Sequence, residues 1–203
     1  MGGIFASLVD SQTKKSSKKQ SSSNIQQTDQ LMGRLLEPPF VPNFRVVLVE
    51  PEIPQNTGNL GRTCVGSCSE LHLVGPLGFK ITDTQLKRAG LDYWPHLSWC
   101  THDSTQEWNR QIAGSNRVFY FSSKAKKPYW EADFRQGDWL VFGKETKGLD
   151  EEVLRQNQDR VFQIPIYGPV RSYNVATAAA MVIFEGMRQL TEKGQAQRYP
   201  HRP

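Results

Sequence analysis

Short apolar runs, separated by polar stretches that contain glycine or proline, recur along the chain from residue 44 onward. The run Arg45-Val46-Val47-Leu48-Val49 is typical of a strand that is buried on both faces. Further apolar runs of strand length follow at 71–74, 118–121, 139–142 and 161–164. The stretches 57–68 and 173–190 predict helices. Strands that alternate with helices predict an α/β fold with a mostly parallel sheet flanked by helices.

Capping residues predict three more helix starts. Thr82-Asp83-Thr84-Gln85 and Ser104-Thr105-Gln106-Glu107 both fit the capping-box pattern, and Asp150 is expected to open a further helix. The folded domain is expected to span residues 41–192, with a flexible tail at 193–203.

The first forty residues differ in composition from the rest. They are rich in Ser, Lys and Gln, with a low-complexity stretch at 14–23. Such a segment cannot bury enough apolar area to offset its ordering entropy, so residues 1–40 are predicted to be a disordered leader. Two alternatives fit less well. An acylation signal at Met1-Gly2 would want Ser or Thr where Ala6 stands, and a transit peptide would be richer in Arg and poorer in acids.

Charge and cysteine content limit the classes of protein further. The 203 residues carry a formal net charge of +5, which permits a polyanionic partner such as RNA without requiring one. No apolar run approaches the roughly 18 residues of a membrane span. Cys64, Cys68 and Cys100 show no paired spacing, so a reducing compartment and a cytoplasmic location are expected.

The first candidate for chemistry is the segment Glu50-Pro51-Glu52-Ile53-Pro54-Gln55-Asn56-Thr57-Gly58-Asn59-Leu60-Gly61-Arg62. Asn56 stands where a helix N-cap is expected. Arg62 is expected to reach the carboxyl end of the first strand, where open α/β sheets bind ligands. An ordinary turn with a surface arginine is the alternative. The glycines form neither a dinucleotide fingerprint nor a P-loop.

The second candidate is Val141-Phe142-Gly143-Lys144-Glu145-Thr146-Lys147-Gly148-Leu149, a strand that runs into a loop bounded by glycines. Gly143 is expected to let a flat group approach the backbone. Gly148 suits a tight turn. A polar surface turn is the alternative interpretation.

The third candidate is the loop Ile164-Pro165-Ile166-Tyr167-Gly168-Pro169-Val170-Arg171-Ser172-Tyr173-Asn174-Val175, which leads into an Ala-rich helix. It is expected to present free N–H groups and polar side chains to an anionic or polar small molecule. The alternative is a helix cap made by Ser172 or Asn174.

Together with Leu86-Lys87-Arg88-Ala89-Gly90-Leu91-Asp92-Tyr93, these segments resemble the SPOUT superfamily of RNA methyltransferases. More narrowly, residues 44–190 are similar to tRNA wobble-position (cytidine/uridine-34) ribose 2′-O-methyltransferases. The resemblance implies a trefoil-knotted domain that binds S-adenosylmethionine in the knot. It also implies a homodimer in which the partner chain completes each active site, a tRNA anticodon stem-loop as substrate, and no metal.

The resemblance also implies roles for individual residues. The residues that it assigns to cofactor binding are Phe121, Gly143, Glu145, Ile164 and Ser172. Those that it assigns to catalysis are Asn56, Arg62, Ser172 and Asn174. Those that it assigns to RNA binding are Arg62 and Arg171. Lys87 and Arg88 are RNA-binding candidates on account of their charge, and solvated surface charge is the alternative.

Arg62 matches the family's catalytic arginine, which is often given the role of base. A guanidinium with a pKa above ~12 is a poor base, however. Our hypothesis is that Arg62 holds the adjoining RNA phosphate and lowers the pKa of the 2′-hydroxyl electrostatically. Lys124, Lys126 and Lys127 are further candidates for phosphate contacts, and solvated surface charge is the alternative.

Some positions depart from the family pattern, and other functions stay open. Phe184 stands where Tyr is common, and Val175-Ala176-Thr177 replaces Leu-Ser-Asn, so nucleotide preference or activity can differ. The alternatives are a related enzyme acting on another tRNA position or on rRNA, a catalytically silent RNA-binding dimer, and a nicotinamide-dependent oxidoreductase that would lack its glycine fingerprint.

The cysteines raise the question of a metal site. Cys64 and Cys68 are four residues apart on one predicted helix, with Cys100 and His102 downstream. A metal site needs convergent ligands, and the family requires no metal. Buried thiols are therefore expected.

Overall fold

The structure is a computed structural model that describes residues 41–81 and 93–198. Four sequence predictions lie outside the described residues. These are the disordered leader, the capping box at Thr82, and the RNA-binding roles of Lys87 and Arg88. Within the described ranges, no helix is long and apolar enough to cross a membrane.

A seven-stranded sheet forms the centre of the described part. Its strands are β1 (Phe44–Val49), β2 (Glu70–Val74), β3 (Trp99–His102), β4 (Val118–Phe121), β5 (Lys127–Pro128), β6 (Asp138–Phe142) and β7 (Val161–Gln163). They lie in the order β3-β2-β1-β6-β4-β7-β5, and every pair is parallel. The predicted α/β fold with a mostly parallel sheet is confirmed.

Helices cover both faces of this sheet. They are α1 (Pro54–Gly66), α2 (Thr105–Gln111), α3 (Glu151–Gln156) and α4 (Val175–Glu192). Helices α1 and α4 pack on one face, and α2 and α3 pack on the other. In β1, Val46 and Leu48 face α1 and α4, whereas Val47 faces the opposite side, and none is more than 1% exposed. This two-sided burial explains why β1 is apolar at successive positions.

Small residues bring α4 close to the sheet. Ala176 and Ala179 are buried. A Cβ at Gly186 would lie 2.5 Å from Cζ of Phe44, so only glycine fits there. The predicted role of the small residues in close packing is thus supported, while the trefoil knot itself stays a prediction.

Most predicted elements are present, and the errors have local causes. Ser104 caps α2 and Asp150 caps α3, as predicted. The prediction that Asn56 is an N-cap is wrong, because α1 begins at Pro54 with Ile53 at the cap and Asn56 lies inside the first turn. Proline is favoured at the first helical position, since it has no N–H to leave unpaired.

Sequence reasoning missed β3 and β5 and placed Cys68 on a helix. Strand β3 has only four residues, two of them polar, and β5 has two. Neither carries a recognisable apolar pattern. Helix α1 ends at Gly66, and Cys68 follows with a positive φ of 50°.

The segment after α4 makes contacts as far as it is described. Gln197 donates its N–H to Oδ1 of Asn43 at 2.7 Å, and its carbonyl accepts from Nδ2 of Asn43 at 3.0 Å. The N-terminal part of the predicted flexible tail is therefore tied to the start of the domain. Residues 199–203 lie outside the described ranges.

Candidate active site

A cleft of about 720 Å³ opens at the carboxyl ends of β4, β6 and β7. It is formed by the loops that follow these three strands, together with the start of α1. Eight of the residues to which the resemblance assigns a role line it: Asn56, Phe121, Gly143, Glu145, Ile164, Arg171, Ser172 and Asn174. The carboxyl edge of a parallel sheet is the expected place for a ligand, because the loops of adjacent strands converge there.

The floor of the cleft is apolar. Phe121 stacks on Phe142 with ring centroids 4.9 Å apart and an interplanar angle of 15°. Ile164, Ile166 and Leu149 complete this part of the lining. The floor therefore presents flat and branched apolar surface to an incoming group, while the loops above it supply polar atoms.

The loop at 143–149 folds tightly back on itself. A Cβ at Gly143 would overlap the backbone of Gly148 and Leu149. Gly148 has a φ of +71° and donates its N–H to the carbonyl of Lys144 at 2.9 Å. The expected tight turn at Gly148 is confirmed. The position of Gly143 needs a glycine because the backbone of the same loop occupies the space where a side chain would lie.

Glu145 holds this loop against the start of α1. Its carboxylate accepts from the N–H of Glu52 at 2.8 Å, from the N–H of Ile53 at 3.2 Å and from Nδ2 of Asn56 at 2.9 Å. Ile53 provides no side-chain cap. The carboxylate of Glu145 thus supplies the negative group that a helix N-terminus favours.

Two further contacts join the same loops. Glu52 accepts from the N–H of Thr146 at 3.1 Å and from its hydroxyl at 3.0 Å, which reciprocates the contact of Glu145. Lys144 forms an ion pair with Glu50 at 2.5 Å. One wall of the cleft is therefore fixed by five side chains from two loops.

Asn174 connects the third loop to the other two. Its Nδ2 donates to Oδ1 of Asn56 at 2.8 Å, and its Oδ1 accepts from the N–H groups of Ala176 and Thr177 at 2.9 and 3.3 Å. Asn174 is therefore the N-cap of α4, as one of the sequence alternatives proposed. The expectation of free N–H groups is wrong for these two. We call Asn56, Glu145 and Asn174 the loop network.

The rim of the cleft is exposed. Arg171 and Ser172 lie there, and Tyr167 beside them is 89% exposed. On the opposite side, Lys124 lines the cleft and pairs with Glu151 at 2.6 Å. Exposed polar side chains at the rim can contact a large ligand without rearrangement of the floor.

Arg62 is not among the residues that line the cleft of its own chain. It lies two turns along α1, with its guanidinium carbon 4.6 Å from the ring centroid of Tyr93. The hydroxyl of Tyr93 donates to the carbonyl of Gly58 at 2.5 Å, which fixes the ring beside the helix. Six residues of helix carry Arg62 roughly 9 Å away from Asn56, and its expected place at the carboxyl end of the first strand stays a prediction.

Of the four positions that depart from the family pattern, Val175 lines the cleft and the other three do not. Phe184 is 59% exposed on α4, Ala176 is buried against the core, and Thr177 is exposed. None of the three is among the residues that surround the cavity.

The fold and the cleft define the class as an α/β protein with a cleft of ligand-binding size at the carboxyl edge of a parallel sheet. Comparison with known proteins identifies the family. The SpoU rRNA methylase family matches residues 43–184. The chain is 43% identical over 148 residues to a tRNA (cytidine(34)-2′-O)-methyltransferase from Saccharophagus degradans, covering 72% of this chain and 96% of that protein.

Solved structures agree with this match. One described as giving structural insights into the 2-OH methylation of C/U34 on tRNA is 47% identical, with a TM-score of 0.69, and the match covers 73% of this chain and 91% of that one. An AdoMet-bound rRNA methyltransferase from Sinorhizobium meliloti is 25% identical, with a TM-score of 0.65, over 75% of this chain and 58% of that one. The chain belongs to the SpoU rRNA methylase family.

Proposed function

We propose that this protein transfers a methyl group from S-adenosylmethionine to the ribose 2′-oxygen of the wobble nucleotide of tRNA, a cytidine or uridine at position 34. The observation that carries the proposal is the cleft, in which seven residues from three separate sequence segments meet one another and Phe121 of β4. The relative at 43% identity and the solved structure at 47% identity support the choice of substrate.

The residues of the cleft fit S-adenosylmethionine. A volume of about 720 Å³ lies within the usual range for ligand pockets. The apolar floor at Phe121 and Ile164 suits an adenine ring, and the backbone of the loop at 143–149 offers polar groups beside it. When bound, this cofactor supplies an electrophilic methyl group on a sulfonium, so methyl transfer itself requires no metal.

The loop network acts by holding the cleft in shape. The side chains of Asn56, Glu145 and Asn174 form hydrogen bonds with one another, and those of Glu145 and Asn174 also accept from N–H groups at the starts of α1 and α4. We therefore assign Glu145 to positioning the cofactor loop, since three donors already engage its carboxylate. Ser172 and Arg171, which are exposed at the rim, are the residues that contact the cofactor or the RNA directly.

Arg62 is proposed to serve the cleft of a second subunit in a homodimer. Exposed apolar side chains support such an assembly, and they include Ile53, Val170 and Phe184. Ile53 lies at the N-cap of α1, the helix that carries Arg62. Burial of these side chains between two chains would remove them from water and place α1 of one subunit near the rim of the other.

In that position Arg62 binds the phosphate beside the acceptor ribose. A guanidinium forms bidentate hydrogen bonds with phosphate and stabilises the negative charge that grows on the 2′-oxygen as its proton leaves. The 2′-hydroxyl is the nucleophile, so the substrate must be RNA. An unstacked anticodon loop presents this hydroxyl without any opening of a duplex.

The three cysteines form no disulfide, which supports the cytoplasm as the location.

The test uses the purified full-length chain with S-adenosylmethionine and tRNA transcripts, followed by nucleoside mass spectrometry. We expect 2′-O-methylcytidine or 2′-O-methyluridine at position 34. A transcript with a 2′-deoxynucleotide at that position is the matched control, because it lacks only the acceptor oxygen. Methylation of the control at an equal rate, or no methylation of position 34 in any transcript, would refute the substrate assignment.

A second candidate has one observation in its favour. The family description names rRNA, and an rRNA methyltransferase is among the structural neighbours. The same assay with rRNA fragments separates the two substrates. Methylation of rRNA with none of tRNA would select this alternative.

A further inference from the structure

Three potential metal ligands converge on the side of the sheet away from the cleft strands. His72 lies on β2, and Cys100 and His102 lie on the neighbouring strand β3. His72 is directly opposite Cys100 in the parallel register. Because side chains alternate across a strand, Cys100 and His102 point to the same face of the sheet as His72.

The three ligand atoms form a compact triangle. Nδ1 of His72 lies 3.1 Å from Nε2 of His102 and 3.0 Å from Sγ of Cys100, and Sγ of Cys100 lies 3.5 Å from Nε2 of His102. A tetrahedral Zn²⁺ ion holds two nitrogens about 3.3 Å apart and a sulfur about 3.6 Å from each. Side-chain shifts of a few tenths of an ångström would bring the triangle to those dimensions.

The surroundings favour a cation. Nε2 of His72 faces Oε2 of Glu70 at 3.5 Å and has no hydrogen-bond partner among the described residues. A proton on Nε2 directed at this carboxylate leaves the lone pair of Nδ1 directed into the triangle, as in metal sites where a carboxylate orients a histidine. The carboxylates of Glu70 and Glu107 both act electrostatically on Cys100, and a dication in the triangle would offset their negative potential.

The walls around the triangle are rigid. His72 and His102 are buried, and their nearly parallel rings point end to end, with centroids 5.4 Å apart and the facing nitrogens 3.1 Å apart. Trp139 packs edge-on against His72 at 4.7 Å. Cys100 is half-buried and gives an ion a route from solvent. Buried, preoriented ligands with one accessible member are what a stable site requires.

We propose that His72, Cys100 and His102 bind a Zn²⁺ ion. One thiolate and two imidazoles are a ligand set that suits this borderline-soft ion. The ion would link β3, the terminal strand in the described sheet order, to β2. It would strengthen an edge that otherwise depends on four residues of backbone pairing. The site is separate from the cleft, which lies beyond β1 at the ends of β6, β4 and β7.

The alternative is a hydrogen-bonded cluster in which the thiol donates to an imidazole. It predicts no stoichiometric metal binding. The test uses the full-length chain, freed of metal with a chelator and titrated with Zn²⁺ in a calorimeter. We expect saturation at about one Zn²⁺ per chain. Co²⁺ gives a second readout, because a cobalt–thiolate bond produces a near-ultraviolet charge-transfer band that imidazoles alone do not.

Two variants isolate the sulfur ligand. Cys100→Ser keeps the size of the side chain and is expected to abolish the cobalt–thiolate band and weaken Zn²⁺ binding on the order of 100-fold or more. Cys68→Ser is the matched control, since it removes another half-buried thiol outside the triangle and should bind like the original chain. The proposal is overturned if the unaltered chain binds no stoichiometric Zn²⁺, if it gives no cobalt–thiolate band, or if Cys100→Ser binds Zn²⁺ equally tightly.

Discussion

The loop network of the cleft and the His72–Cys100–His102 triangle are both polar clusters built from distant parts of the chain, but they differ in how their atoms are satisfied. In the loop network each donor meets an acceptor, as when Nδ2 of Asn174 meets Oδ1 of Asn56. In the triangle, two ring nitrogens and a sulfur face one another, and with the His72 proton on Nε2 toward Glu70 only two protons are left for the three contacts.

The difference separates two functions of polar groups in a folded protein. A saturated network holds loops in place and leaves the space beside it for a ligand. An unsaturated cluster of lone pairs lowers its free energy by gaining a proton or a cation. The loop network accordingly fixes the loops around the cleft before a ligand binds. The triangle, in our proposal, satisfies its lone pairs only when an ion binds.

The largest expected effect comes from a residue that belongs to neither cluster. If the loop network only prepares the cleft, the charge beside the acceptor ribose is proposed to come from Arg62. Arg62→Ala should lower kcat on the order of 10²–10³-fold with little change in the Kd of S-adenosylmethionine. Arg62→Lys should also lose most activity, because an ammonium cannot form the bidentate contact. The readout is single-turnover methylation.

Arg135→Lys is the matched control for Arg62, since this exposed arginine pairs with Asp133 away from the cleft. It should retain full activity. An Arg62→Lys enzyme that keeps most of its kcat would contradict the phosphate-binding role and would favour a role of residue 62 in proton transfer.

A large effect on cofactor binding is expected at Gly143. The added methyl group of Gly143→Ala would overlap the backbone of Gly148 and Leu149, so the loop must move. We expect S-adenosylmethionine binding to weaken by more than about tenfold, measured by calorimetry, with the fold retained. Gly66→Ala is the control, because an added Cβ there meets no atom within 4 Å. Equal binding by both variants would mean that the loop does not form the cofactor site.

Glu145→Gln tests whether the loop network is saturated. The amide would direct a donor at one of the three groups that Glu145 now accepts from, so stability should fall by about 1–3 kcal/mol in denaturant titration. Glu151→Gln makes the same chemical change in an exposed ion pair and should have no measurable effect. A fall of equal size in both variants would show that the contacts of Glu145 contribute no more to stability than an exposed ion pair does.

The smallest effect is expected between the two clusters. Zn²⁺ at 100 times its Kd should stabilise the chain by about 2.7 kcal/mol and raise Tm. The Kd of S-adenosylmethionine should change by less than about twofold, because the triangle and the cleft lie at different strands of the sheet. A larger change would show that the two sites are energetically coupled and would contradict their independence.

Local patterns were sufficient for much of the fold and of the cleft. The β-branched run of β1, the cap at Ser104 and the glycines at 143 and 148 each have a physical cause within a few residues. The partners of Glu145 could not be predicted, since its three donors lie about ninety residues earlier in the chain. The position of Arg62 depended on where α1 begins, and a proline shifted that start by three residues relative to the prediction.

The sequence by itself determined the alternation of strands and helices, the family and the segments that meet at the carboxyl edge of the sheet, because periodicity and turn chemistry act over short distances. Tertiary structure alone decided which side chains touch. The pairing of β2 with β3 brings His72 to Cys100 across 28 residues, and no local pattern encodes that register. A parallel pair needs a long connection between its strands, so contacts of this kind arise only when the whole sheet has assembled.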